Sequence, residues 1–222
     1  MTFDREQIAM KVHEYGNSNA DMVLLQPIGE HDLGSLEKEV SFILELSQQD
    51  FRWIGFQVAN WNKDLSPWES PAVFGKDDFG DGAQGTLDEI LKYCNDPDKT
   101  YYLGGYSLAG LFALWAAYQT DKFSGIAAAS PSMWFPGFDD YMAEHALRSN
   151  HIYLSLGDKE EKTCNPVMRT VGDKIRTAHA EFEEKNVDCI LEWNQGNHFK
   201  EPDLRTAKGF AWLINRRSRS RR

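Results

Sequence analysis

Gly105-Tyr106-Ser107-Leu108-Ala109 sets one serine between two small residues. A serine on so sharp a turn is an attacking group for acyl chemistry: its backbone is strained, and only small residues two places before and after let the strand that delivers it approach the helix that leaves it. Gly105 fills the first place, and Ala109 is a sterically mild substitute for glycine at the second, with Gly110 behind it. The flanks agree with this reading. Tyr101-Tyr102-Leu103-Gly104 is β-rich, and Leu111-Phe112-Ala113-Leu114-Trp115 runs on without proline or charge, so the order is strand, turn, helix. A buried serine in a glycine-rich turn is the competing reading; it accounts for the five residues and leaves both flanks unexplained.

A serine hydroxyl is a weak nucleophile and needs a base within hydrogen-bond reach, with a third group to fix the tautomer of that base. Of six histidines, His13, His145, His151 and His179 fall in expected strands or helices and read as structural. His198, in Gln195-Gly196-Asn197-His198-Phe199 beyond the last expected strand, is placed to reach back over the sheet, and His31 is its rival in the loop after Leu25. For the acid, Gly157-Asp158-Lys159-Glu160 has a glycine with a carboxylate three places on, which favours Glu160, while Asp158 and Glu161 stay open.

The elements that must position these groups follow from periodicity. Met10 and Val12, with Ile8 before them, alternate as a strand ahead of the turn residues Gly16-Asn17-Ser18-Asn19, so an N-terminal hairpin is expected. Met22 to Leu25 is a continuous apolar run, as in a strand buried on both faces, with Gln26-Pro27-Ile28-Gly29 as the loop beyond it. Helix 34–49, strand 51–59, helix 86–93, the serine strand and its helix, strand 125–129, helix 139–147, strand 151–156, helix 166–185, strand 187–193 and helix 203–214 complete the order. Alternation of this kind gives a mostly parallel sheet with helices on both faces, whose loops at the carboxyl ends of the strands converge on one site. The stretch 60–85 lacks a period but holds Trp61, Trp68, Phe74 and Phe79, too apolar for a free loop, and is expected as a folded wall of that site.

The chain of 222 residues fits one domain, taken as 1–215, and the arginine-rich end 216–222 reads as a disordered tail. Net charge is −10 even with five arginines in that tail, so the body is more acidic still and repels nucleic-acid phosphate. Cys94, Cys164 and Cys189 are odd in number and lack CxxC spacing, which argues against a disulfide framework and against a zinc site. No metal or cofactor is expected. The first twenty residues have no apolar signal core and no run reaches the length of a membrane span, so a cytoplasmic protein without membrane attachment is expected. A homo-oligomer is compatible with the sequence, which does not specify the oligomeric state.

Together, Gly105-Tyr106-Ser107-Leu108-Ala109-Gly110, Ala129-Ser130-Pro131-Ser132-Met133-Trp134, Gly157-Asp158-Lys159-Glu160 and Gly196-Asn197-His198-Phe199 resemble the α/β-hydrolase esterase group that includes esterase D, enterochelin-type esterases and feruloyl esterases. The order Ser107, Glu160, His198 is the nucleophile, acid, histidine order of that fold. The resemblance implies a single-domain α/β-hydrolase fold acting on a small-molecule ester through an acyl-enzyme. The amide of Leu108, and a second from the loop Pro27-Ile28-Gly29-Glu30, taken as Ile28, would face the oxyanion. Only one helix fits between Ala129 and His151, so no cap domain is expected, and Tyr106, Trp134, Trp61, Trp68 and His31 are the candidate substrate contacts. An acyltransferase using the same residues and a non-catalytic binding protein of the same fold are the alternatives.

Overall fold

The computed structural model of the chain describes residues 10–220. Seven strands, β1 (Lys11–Gly16), β2 (Met22–Ile28), β3 (Arg52–Gln57), β4 (Thr100–Tyr106), β5 (Phe123–Ala129), β6 (His151–Gly157) and β7 (Asp188–Asn194), form one sheet in the order β1-β3-β2-β4-β5-β6-β7. Only β1 is antiparallel to its neighbour. The helices are α1 (Leu36–Ser47), α2 (Trp61–Asp64), α3 (Ala83–Leu91), α4 (Leu108–Gln119), α5 (Phe138–Glu144), α6 (Val171–Glu184) and α7 (Pro202–Ser220).

Side-chain alternation explains why the central strands read as unbroken apolar runs. In β2, Val23 and Leu25 join the core shared with α3, α4, α5 and α6, while Met22, Leu24 and Ile28 join the core shared with α1 and α7. A strand covered on both faces has no side that water selects for polar residues. Helix α4 is buried at every position except its last, as a helix without a polar stripe must be.

Four expectations need correction. The first strand forms no hairpin with the second: β1 pairs with β3, Val12 opposite Phe56, so the chain steps over β3's place before entering β2. Ile8 lies outside the described residues. Strand β2 runs on through Pro27 to Ile28 instead of ending at Leu25, because its pairing with β4 stops at Leu25 opposite Leu103, and beyond that point a proline's missing N–H deprives no neighbour. The stretch 60–85 is not wholly loop: it holds α2, capped by the Asn60 side chain accepting from the Lys63 amide at 3.0 Å, and the first turn of α3. Residues 216–220, expected as part of a disordered tail over 216–222, extend α7, and Arg216 stacks over Trp212 at 4.8 Å and pairs with Asp188 at 2.9 Å; residues 221–222 lie outside the described residues.

Candidate active site

Ser107 has φ 58° and ψ −120°, a conformation that costs on the order of 1–3 kcal/mol and persists only where its surroundings impose it. Two backbone bonds do so: Ser107 N–H donates to the Ala129 carbonyl at 3.1 Å, and Ser132 N–H donates to the Ser107 carbonyl at 3.1 Å. A Cβ on Gly105 would stand 2.6 Å from that of Ala109, so the approach of β4 to α4 requires glycine there. The amide of Leu108, first residue of α4, belongs to the turn whose N–H groups lack intrahelical partners, at the positive end of the helix.

The structure brings Ser107, His198 and Glu160 together. His198 Nε2 lies 3.0 Å from Ser107 Oγ, and its Nδ1 lies 2.7 Å from Glu160 Oε2. Glu160 is buried, and its other oxygen accepts from the Gly157 amide at 2.7 Å, the Ser130 hydroxyl at 2.8 Å and Arg205 Nη1 at 2.8 Å. Burial alone would raise this carboxyl, but the hydrogen bond and charge of His198, with the bonds from Ser130 and Gly157, outweigh it and hold the group below its ordinary value. The neighbouring acids are engaged elsewhere. Asp158 Oδ1 accepts from the Gly196 amide at 2.7 Å, fastening the two loops together, and Glu161 pairs with Arg176 at 2.8 Å.

A cavity of about 450 Å³ opens beside Ser107, walled by Trp61, Phe74, Trp134, Met168 and Phe199 among others, with Tyr106 and His31 also at its surface. Trp68, expected as a substrate contact, is turned away: its Nε1 donates to the Pro136 carbonyl at 2.9 Å and its ring packs on Phe135 and Tyr141, because the indole N–H needed a partner and found one in the adjoining loop. Ile28, expected as an oxyanion donor, sits inside the β2–β3 ladder, fully buried, its carbonyl accepting from Val58 at 2.9 Å. The next amide, of Gly29, donates to Asp32 at 2.8 Å. His31 packs edge-on against Trp61 at 4.7 Å and is paired with Asp32 at 3.5 Å, whereas His198 holds the bond to the serine. The Tyr106 hydroxyl, pushed up to about 12 by burial and by the Glu160 charge, stays protonated and donates to the His198 carbonyl at 2.7 Å.

No protein-family model and no curated protein matches the chain. Solved structures do. An IroE-like serine hydrolase from Shewanella oneidensis superposes with a TM-score of 0.72 at 15% identity, covering 91% of this chain and 75% of its own. The siderophore hydrolase EstA from Aspergillus nidulans gives 0.67 at 16%, covering 93% and 94%. The chain has the α/β-hydrolase fold. The enterobactin esterase FES from Shigella flexneri is similar with a TM-score of 0.63 at 13% identity, and 91% of this chain matches 54% of that longer chain. At these identities the likeness is one of fold, and the chemistry must be argued from the residues themselves.

Arg205, whose guanidinium meets Glu160, was not singled out by sequence reasoning. The available signal was a pair of charges, Asp203 and Arg205, in the first turn of an otherwise apolar helical face directly after the histidine loop; both are buried.

Proposed function

We propose that the protein is a serine hydrolase of small carboxylic esters, working through an acyl-enzyme on Ser107. The observation that carries this reading is the unbroken hydrogen-bonded line from Ser107 Oγ through His198 to Glu160, at 3.0 and 2.7 Å, beside a cavity large enough for a small ester. In this reading Ser107 Oγ attacks the acyl carbonyl while His198 Nε2 takes the hydroxyl proton. Glu160, ionised, accepts the Nδ1–H bond and so keeps Nε2 free to act as base. The developing oxyanion faces the Leu108 amide at the start of α4; one such donor is typically worth about 3 kcal/mol of barrier. His198 then returns the proton to the departing alcohol, and water, activated by the same imidazole, releases the acid.

The walls of Trp61, Phe74, Trp134 and Phe199 suit an apolar or aromatic portion of the ester better than a charged one. No helix among the described residues is long and apolar enough to cross a membrane. With Cys94, Cys164 and Cys189 all unpaired, we place the protein in a reducing cytoplasm.

A fluorophosphonate probe, followed by activated acyl esters of increasing chain length, tests the reading. Ser107 is expected to carry the label, and Ser107→Ala is expected to lose on the order of 10⁶-fold in kcat with unchanged folding. A Ser107→Ala variant retaining a tenth of wild-type activity refutes the assignment. Products formed in an added alcohol decide between hydrolysis and acyl transfer.

A further inference from the structure

Arg205 takes no chemical step in the reading above, yet it is only 2% exposed and lies against every loop the chemistry uses. A guanidinium in such a place is costly unless its N–H groups are matched. Nη1 donates to Glu160 Oε1 at 2.8 Å, Ser130 Oγ at 3.2 Å and the Tyr106 hydroxyl at 3.2 Å. Nη2 donates to the carbonyls of Asn197 at 3.0 Å and Gln195 at 3.3 Å, both in the loop that carries His198. One side chain on α7 therefore joins the acid loop after β6, the end of β4 and the histidine loop after β7. The Tyr106 hydroxyl closes the ring by donating to the His198 carbonyl.

The direction of the bonds matters more than their number. With Arg205, Ser130 and Gly157 all on Glu160 Oε1, the carboxylate cannot rotate without breaking three bonds, so Oε2 is left aimed at His198 Nδ1. A flat fork of donors can hold an oxygen on one side and carbonyls on the other; an ammonium, a single point of charge, cannot span both.

We propose that Arg205 is a positioning residue, acting through Glu160 and the loop 195–198 to hold the acid and the base in line with Ser107. The proposal rests on the ester-hydrolase reading for its kinetic consequences alone. Arg205 does not line the cavity, so its removal should leave substrate binding nearly intact. In Arg205→Met, kcat falls on the order of 10²-fold, the cost of a displaced catalytic group, while KM stays within about threefold.

A structural prop would not shift the pH profile, whereas Arg205 should. Without it no guanidinium offsets the buried Glu160 charge, and the acidic limb of kcat/KM moves to higher pH. The other ionisable groups around His198 remain as they were: Tyr106, protonated beneath it; Asp158 at the Gly196 amide; Lys159 and Lys162 across an adjoining hollow; His31 and Asp32 across the cavity. Arg205→Lys keeps the cation and loses the fork, so its limb returns to the wild-type pH while kcat stays lowered about tenfold.

The experiment is the pH profile of the wild type, Arg205→Met and Arg205→Lys, each with the downfield proton resonance of His198 Nδ1. That resonance reports the bond to Glu160 whether or not an ester is turned over. Its loss in Arg205→Met together with the displaced limb is the expected result; an unchanged resonance, or lowered kcat with an unmoved limb, overturns the proposal. If Arg205→Met does not fold, Arg205→Lys decides, since wild-type kcat in that variant is incompatible with the fork. Failure of the wild type to hydrolyse any ester, with the resonance intact and lost on substitution of Arg205, refutes the hydrolase reading and leaves this one standing.

Discussion

Replacing Glu160 with glutamine keeps the volume of the side chain and changes one oxygen to NH₂, so the structure dictates which way the amide turns. The position of Oε1 faces three donors, Gly157 N at 2.7 Å, Ser130 Oγ at 2.8 Å and Arg205 Nη1 at 2.8 Å, and only the amide carbonyl can satisfy them. The NH₂ must then take the position of Oε2, facing His198 Nδ1 at 2.7 Å. Two donors cannot share that distance, so the imidazole is forced into the tautomer with its proton on Nε2, where Ser107 Oγ stands at 3.0 Å. A base already protonated on its reactive nitrogen accepts nothing. Wrong-tautomer substitutions of this kind cost roughly 10⁴-fold in kcat, which at 1.36 kcal/mol per decade is about 5 kcal/mol of barrier.

Turnover of one activated ester at saturation, with the rate of fluorophosphonate labelling as a second measure, checks this. Asp158→Asn is the comparison: Asp158 Oδ1 accepts only the Gly196 amide, an asparagine carbonyl can still do so, and the loss should stay within about tenfold. Glu161→Gln, at a carboxylate that pairs with the surface Arg176 and rests against Gly172 of α6, should be near wild type. A Glu160→Gln variant within tenfold of wild type, or one more active than Asp158→Asn, refutes the assignment of the acid.

Three further outcomes are expected. His31→Ala, which removes a ring packed on Trp61, should change kcat/KM only a few-fold while His198→Ala abolishes turnover; comparable losses would return the base to the loop after β2. Gly105→Val must place its Cβ 2.8 Å from the Ala109 carbonyl carbon, with the γ-methyls still to be fitted, and should lower Tm by several degrees through an overpacking cost of about 1–3 kcal/mol; an unchanged Tm would show that the elbow is not tight. Glu39 on α1 is buried, and burial, with the charges of Asp32 and Asp203, holds its carboxyl well above its ordinary value of 4.5 against the opposing bond from Gln26. The folded state thus keeps a proton that the unfolded chain releases, so stability falls as pH rises above about 4.5 towards the folded value. Glu39→Gln should raise Tm at pH 7 and leave it unchanged near pH 4; equal melting at both would refute the shift.

What the sequence disclosed of the site divides along a physical line. The serine half is held by sterics and apolar packing: Gly105 against Ala109, a helix buried almost throughout, a strand covered on both faces. Constraints of this kind act between residues close in the chain, so they leave a pattern in residue order. Gly157 carries the same kind of mark, since a Cβ there would lie 2.9 Å from Glu160 Oε1, so glycine stands three places ahead of that carboxylate for a steric reason. Features that depended on distant partners left no such trace. Whether β1 pairs with β2 or β3 is settled between residues as far apart in the chain as Lys11 and Gln57, Trp68 and Trp134 have the same composition signal but different partners, and Pro27 hides a strand that only the end of β4 pairing makes tolerable.

The histidine half shows why the two differ. Phe199 is exposed and His198 is half-buried, so almost no apolar burial fixes that loop. Its position comes from hydrogen bonds to Asp158, Tyr106 and Arg205, groups contributed by β4, α7 and the loop after β6. A loop tied by bonds rather than packing sits at the low-stability end of a fold, where opening costs little of the global free energy. Substitutions there should impair turnover well before they lower Tm, whereas a packing substitution in the elbow, such as Gly105→Val, should lower Tm. The polar ties are also the part that composition and periodicity cannot register, because an arginine that bridges three loops and an arginine in water are the same letter.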